Sequence, residues 1–245
     1  MVLKHNVVSK HLNKVFSEVC RAIPFLRNLP VPFVDEGFTF YAYIQDFWRF
    51  TKPFEPLTYA FLLDHVDEND VFLDVGAHIG LYAIRLASKV SKVVALEPEP
   101  NNYNFLCRNV LANNLSEKVI ALPIAASDEN GYADLCVKSS SGAHTLEDSK
   151  NCKEKKRITT LKVDTLLRIL RIKSVDLVKI DVEGHESRVI SGMSKTLSLD
   201  PPRVLVIENQ KTNLSLREFL AKLGYKVVVL DCWDSTCNYG FYMVK

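Results

Sequence analysis

The chain has 245 residues, 47% of them hydrophobic and 24% charged, which suits one large α/β domain with a core big enough to fold without metal or disulfide staples. Its 31 Lys and Arg against 29 Asp and Glu leave a formal charge of +2, too small to favour a nucleic-acid partner. There is no secretory signal pattern and no run near the roughly 20 apolar residues of a membrane span, so a soluble, cytoplasmic protein is expected.

Residues 1–22 set Val7, Val8, Leu12, Val15, Phe16 and Val19 among Lys4, Lys10, Lys14 and Glu18, the spacing of an amphipathic helix. Pro24, Pro30 and Pro32 are then expected to break any regular element. Phe38, Phe40, Tyr41, Tyr43, Phe47, Trp48 and Phe50 follow. The near-alternation over 38–44 suggests short strands or a hairpin, serving either as a packing layer or as a lid over a substrate. These residues form an extension, 1–52, ahead of a main domain, 53–245.

A helix over Glu55–Val66 leads into alternating elements. Strands are expected at Val71–Val75, Lys92–Leu96, Val119–Ile124, Val175–Ile180 and Arg203–Ile207, and helices at Leu81–Ser88, Asn101–Asn113, Asp164–Leu170, Glu186–Leu197 and Ser215–Leu223. Apolar strands separated by helices imply a mainly parallel sheet covered on both faces. Tyr132–Val137 and Arg157–Val163 read as an antiparallel excursion. The polar stretch between them is either a solvated loop or, through Lys150, Lys153, Lys155, Lys156 and Arg157, an attractor of anions. Lys226–Leu230 and Tyr239–Val244 close the chain as a hairpin.

The six cysteines show no C-x-x-C spacing, so no zinc site is expected. Cys232 and Cys237 are placed to meet across a tight turn, although a disulfide is not expected in a cytosolic protein.

The segment Val71-Phe72-Leu73-Asp74-Val75-Gly76-Ala77-His78-Ile79-Gly80 carries the most chemistry. A buried strand enters a turn with Gly76 and Gly80, and a helix follows. Gly76 permits close approach, and Gly80 sits where helix N–H groups are unpaired. Dinucleotides need G-x-G-x-x-G, and His78 occupies the position of the second glycine. S-adenosylmethionine carries an ammonium and a sulfonium instead of phosphate, so the Asp74 carboxylate favours it. Glu97, at the tip of the second strand before Pro98, is placed to bind a ribose diol. Ala125, Ala126 and Ser127 leave room for an adenine ring, with Asp128 or a nearby backbone group on its amine.

Val175-Asp176-Leu177-Val178-Lys179-Ile180-Asp181-Val182-Glu183-Gly184-His185-Glu186 narrows the reading. This K-I-D-x-E-G strand end resembles the signature of the FkbM methyltransferase family, as do Asp74-Val75-Gly76-Ala77, Glu97-Pro98, Thr160-Leu161-Lys162-Val163-Asp164 and Gly192. The resemblance spans roughly residues 53–210. It implies a Rossmann-like methyltransferase fold: a seven-stranded, mainly parallel sheet with helices on both faces, a β-hairpin insertion and the N-terminal extension. It also implies methyl transfer from S-adenosylmethionine, commonly to hydroxyls of sugars or secondary metabolites.

On this reading Asp181 sits near the methyl group, Glu183 is substrate binder or base, and His185 is a second candidate base. Lys179 in an apolar strand requires a partner, with Asp181, Glu183 and Glu208 available. Asp181, Glu208 and Asn209 offer an all-oxygen set that would suit Mg²⁺, and His144 is placed to reach over the site. A sugar or small-molecule hydroxyl is the expected acceptor. The alternatives are a methyltransferase for RNA or protein, drawing on the basic residues, a non-catalytic nucleotide-binding domain, and a nicotinamide enzyme.

Overall fold

The computed structural model describes residues 23, 28–46, 54–138, 140–147, 152–210 and 214–243. The helix expected over 1–22, and Phe47, Trp48 and Phe50, lie outside them. Pro30 and Pro32 do not break structure: they belong to strand β1 (Pro30–Asp35), which pairs antiparallel with β2 (Phe38–Tyr43) in a separate two-stranded sheet. A proline fits a strand that has a partner on one side only. Phe33, Phe40 and Ala42 enter the core. The backbone of β2 is satisfied by two asparagines: Tyr41 N–H donates to Asn109 Oδ1 at 2.7 Å and Thr39 N–H to Asn113 Oδ1 at 2.8 Å. The described part of the hairpin thus packs against the main domain.

The central sheet has the order β11-β12-β10-β9-β3-β4-β5. Its members are β3 (Val71–Val75), β4 (Lys92–Leu96), β5 (Val119–Leu122), β9 (Leu177–Ile180), β10 (Val204–Gln210), β11 (Lys226–Trp233) and β12 (Thr236–Tyr242), with β12 alone running against the rest. Alternation along the strands makes two cores. Phe72, Val93, Leu177 and Val206 face α1 (Pro56–His65), α2 (Leu81–Ala87) and α3 (Pro100–Ala112). Leu73, Val94, Val178 and Leu205 face α4 (Val163–Leu170), α5 (Glu186–Gly192), α6 (Ser194–Leu199) and α7 (Leu214–Lys222). No described helix is long and apolar enough to cross a membrane.

Three further expectations change. The strand expected over Val119–Ile124 stops at Leu122, because Pro123 has no N–H for the ladder. The chain re-enters as β6 (Ile124–Ala126) in a smaller sheet with β8 (Glu154–Leu161) and β7 (Gly131–Val137), in the order β6-β8-β7. The helix expected over Glu186–Leu197 is two helices meeting at Met193, and the second is capped by Asp164, whose carboxylate accepts the Lys195 and Thr196 N–H groups at 2.9 Å. Cys232 and Cys237 do form a disulfide, because the β11–β12 register sets them directly opposite each other.

Gly192 lets α5 press against the end of β6: a Cβ there would lie 1.9 Å from the Ser127 carbonyl oxygen. In an exposed helix, Gly→Ala stabilises by about 1 kcal/mol. Here Gly192→Ala should instead destabilise by about 1–3 kcal/mol, read as a lower urea midpoint at unchanged m-value.

Candidate active site

The carboxyl ends of β3, β4 and β9 open into a cavity of about 910 Å³, the position where ligands sit in open α/β sheets. The loop after β3 forms its floor. Gly76 N–H and Ala77 N–H both donate to Leu96 O, at 3.0 and 2.9 Å, which ties the loop to β4. Gly76 has φ 83, and a Cβ on it would lie 1.9 Å from Asp181 O. The close approach expected of Gly76 is thus made by the end of β9.

Asp74 accepts Ala83 N–H at 3.1 Å and so caps α2 from beneath. Glu97 accepts His78 N–H at 2.9 Å and Glu99 N–H at 2.8 Å. Both carboxyls are buried and both line the cavity. Desolvation raises Asp74 to about 7, against the pull of Lys179. It raises Glu97 to about 7 as well, against the N–H groups of Glu99 and His78. Such carboxyls are under-compensated and gain from a ligand that brings cationic or hydroxyl donors. Ile124, Ala125, Ala126, Leu135 and Leu146 add an apolar slot beside them.

This donor set fits S-adenosylmethionine. Asp74 and Glu97 would meet its cationic and ribose portions, and the slot its flat adenine. Of the residues expected to hold that cofactor, Asp74, Gly76, Ala77, His78, Glu97, Pro98, Ala126 and Asp181 line the cavity. Gly80 does not line it; it precedes α2 and packs against Leu106. Asp128 does not line it either, because Arg188 Nη1 holds its carboxylate at 3.2 Å.

The other end of the cavity is built on Lys179. Its ammonium lies 2.7 Å from Asp181 Oδ2 and 3.9 Å from Glu55 Oε2, and 4.7 Å from the Tyr82 ring centroid. Glu55 accepts the Tyr82 hydroxyl at 2.6 Å and Asn238 Nδ2 at 3.0 Å. Desolvation would raise Asp181, but Lys179 and a hydrogen bond from Glu208 bring it down to about 2. Desolvation and the Asp181 charge push Glu208 up to about 10, so it keeps its proton at neutral pH.

Carboxylate oxygens of Asp181, Glu183 and Glu208 lie within 4.8 Å of one another. The Lys179 ammonium, 2.7 Å from Asp181 Oδ2, already balances one of these carboxylates. Mg²⁺, which the set of Asp181, Glu208 and Asn209 would suit, is not supported.

The loop between β7 and β8 folds over the cavity. His78 Nε2 is 2.9 Å from Ser141 Oγ, Asn102 Nδ2 donates to Ser141 O at 2.8 Å, and the Thr145 hydroxyl donates to Glu183 O at 2.7 Å. His144 lines the cavity as expected. His185 also lines it, but its two ring nitrogens already have partners: Nδ1 lies 2.8 Å from Glu147 Oε1 and Nε2 3.0 Å from Ser127 Oγ. Glu186 accepts Gly184 N–H at 2.9 Å and staples the turn after Glu183.

Of the basic run, Lys156 pairs with Glu99 at 2.8 Å and Arg157 faces Asp134 at 3.9 Å. Lys150 is outside the described residues.

Sequence reasoning missed Phe54, Tyr82, Asp231 and Trp233, which also line the cavity, and the part played by Glu55. Asp231 accepts Thr58 N–H at 2.8 Å and closes the α1 end of the wall. Only Glu55 left a trace, as an acid before Pro56 at a helix start; the others depend on a long-range return of the chain.

A model of the methyltransferase FkbM domain matches residues 74–227. Hexuronic acid methyltransferase AglP of Haloferax volcanii is 30% identical over 155 residues, 63% of this chain and 63% of that protein. Methyltransferase sdnD of Sordaria araneosa is 29% identical, across 54% of this chain and 63% of its own length. The match therefore spans just under two thirds of either relative. Among solved structures, methyltransferase FkbM from Methylobacillus flagellatus KT aligns with a TM-score of 0.57 at 17% identity, over 96% of this chain and 62% of that one. The M. jannaschii tRNA m1G37 methyltransferase aligns with a TM-score of 0.54 at 13% identity, over 100% of this chain and 73% of that one. At these identities the structures show the shared fold alone.

Lys179→Met keeps the volume but strands Asp181 and Glu55. Removing one member of a buried pair costs about 3–5 kcal/mol, so urea unfolding at pH 7.5 should show a loss of that size. The native contribution of Asp181 is present above its unfolded value near 4 and is lost only as pH falls through about 2. In the variant, mild acid protonates the stranded carboxyls, so the gap between the two proteins should narrow toward pH 5.

Proposed function

This chain belongs to the FkbM methyltransferase family, and on that premise we propose that it methylates a hydroxyl group of a sugar or small metabolite, using S-adenosylmethionine. The observation that carries the reading is the pairing, in one cavity, of the under-compensated carboxyls Asp74 and Glu97 with the Lys179–Asp181 end. The cofactor supplies an electrophilic methyl group when bound. The named activity of AglP, a hexuronic acid methyltransferase, supports a sugar acceptor.

Asp181, kept ionised by Lys179, orients the acceptor hydroxyl by accepting its hydrogen bond. With its pKa lowered to about 2 it is a poor base. Glu208 holds a proton and is not available as one at neutral pH. We therefore assign proton removal to Glu183, whose carboxylate stands within 4.8 Å of both. His185, bridged between Glu147 and Ser127, we assign as a tether of the covering loop. Closure over the cavity limits water around the hydroxyl and favours one orientation.

Two variants test this. Glu97→Ala should weaken S-adenosylhomocysteine binding about tenfold to a hundredfold, the worth of charge-assisted hydrogen bonds to a diol. Glu183→Gln should leave that affinity within about twofold and lower kcat with an accepted pyranoside by about 10²–10⁴-fold. Unchanged binding in the first variant, or unchanged kcat in the second, contradicts the respective assignment.

A further inference from the structure

The final hairpin is held unevenly. β11 lies at the edge of the central sheet and pairs with β12. A bulge interrupts that ladder between Val229 and Cys232. Beyond it, among the described residues, the ladder is two pairs long, Cys232↔Cys237 and Trp233↔Thr236, and the disulfide crosses the first of them. β12 is also secured by β10, as far as Gln210↔Thr236. The β11 arm past the bulge is at the sheet edge and has no second strand among those described.

This arm is part of the cavity wall: Asp231, Cys232 and Trp233 line it. Asp231 also caps α1, its carboxylate accepting Thr58 N–H at 2.8 Å and lying 3.4 Å from Leu57 N. Glu55, at the capping position itself, makes no cap bond; its carboxyl accepts from Tyr82 and Asn238 instead. The first N–H groups of a helix need an acceptor from outside, and here the hairpin arm supplies it. A bridge over five positions closes so short a loop that it restricts the unfolded chain less than one between distant segments. Its effect is therefore local. The two sulfurs differ in access, since Cys232 is exposed and Cys237 is buried, and exposed disulfides are the readily reduced ones.

We propose that Cys232–Cys237 is a thiol-exchange site, opened by a dithiol, whose reduction releases the Asp231–Trp233 wall of the cavity and leaves the cofactor end in place. A thiolate of the dithiol attacks Cys232 Sγ, the S–S bond breaks, and Cys237 leaves as a thiolate that takes a proton from solvent. The second sulfur of the dithiol then displaces Cys232, so the protein gains two electrons and two protons and the reductant becomes a cyclic disulfide. With the bridge open, the cap that Asp231 places on α1 loosens. Glu55 keeps Tyr82 and Asn238, so its place beside Lys179 survives. That the released wall faces the acceptor rests on the methyl-transfer reading.

The test is amide hydrogen exchange on the full chain, oxidised with diamide or reduced with dithiothreitol, with alkylation and peptide mapping to locate the thiols in each state. Reduction should leave the protein folded, expose thiols at Cys232 and Cys237, and lower protection about tenfold or more at Leu57, Thr58 and residues 231–235. Gly76 and Ala77, bonded to Leu96 O on the cofactor side, should keep theirs within about twofold. S-adenosylhomocysteine affinity should also hold within about twofold. Cys232→Ser, at the exposed position, should show the reduced pattern in both reagents. A bridge that never forms with diamide, or that resists dithiothreitol in the folded protein, overturns the proposal. So does reduction that leaves Leu57 and Thr58 unchanged, that strips Gly76 and Ala77 of protection as well, or that shifts S-adenosylhomocysteine affinity. Absence of S-adenosylhomocysteine binding in both states counts against the methyl-transfer reading instead, and the exchange pattern still decides for or against the site.

Discussion

The ammonium of Lys179 sits in the central sheet at 3% residue exposure, held by Asp181 at 2.7 Å and facing Glu55 at 3.9 Å. A buried charge of this kind persists only when paired and hydrogen-bonded, and the surrounding elements are arranged to supply that. Glu55 comes from the entry to α1 and is fixed by Tyr82 of α2 and Asn238 of β12. Asp181 comes from the end of β9 itself, beside the turn that carries Glu183. One cation thus links the helical layer, the antiparallel strand and the loop after β9.

The same pairing sorts the carboxyls of the cavity by protonation. Asp181 gains the ammonium and stays ionised; Glu208, beside an ionised neighbour, retains its proton. Asp74 lies farther from full compensation and Glu97 has only N–H donors, so both are raised to about 7. Desolvation is the leading cause in each, and the difference lies in what each carboxyl has been given against it. A cavity with one end poised to lose protons and the other held anionic suits a positively charged cofactor at the first and a hydroxyl at the second.

Much of this was legible in the sequence because it is local. The apolar strand before Asp74 and Gly76, and the acid at Glu97, follow from strand ends and turn residues. The need of Lys179 for a partner follows from an ion in an apolar run, and Asp181 two residues on is that partner. The misreadings have equally local causes. Pro123 ended a strand that looked continuous, Pro30 and Pro32 proved compatible with a one-sided strand, and Asp164 capped a second helix where periodicity suggested one. What the sequence did not show is contact between distant segments. Glu55 reaches Asn238 across 183 positions, Asp231 caps α1, and Trp233 arrives at the rim through the final hairpin. Ala125 and Ala126 line the apolar slot, whereas Ser127 is bonded to His185 and Asp128 to Arg188.

The central claim is that buried, under-compensated carboxyls of this cavity receive a positively charged, diol-bearing cofactor. Calorimetric titration of the protein with S-adenosylhomocysteine at pH 7, repeated in two buffers of different ionisation enthalpy, measures both binding and the protons linked to it. The account predicts saturable one-to-one binding with net proton release, because Asp74 and Glu97 ionise as the ligand's donors arrive. No saturable binding, or binding whose heat is the same in both buffers, would contradict it.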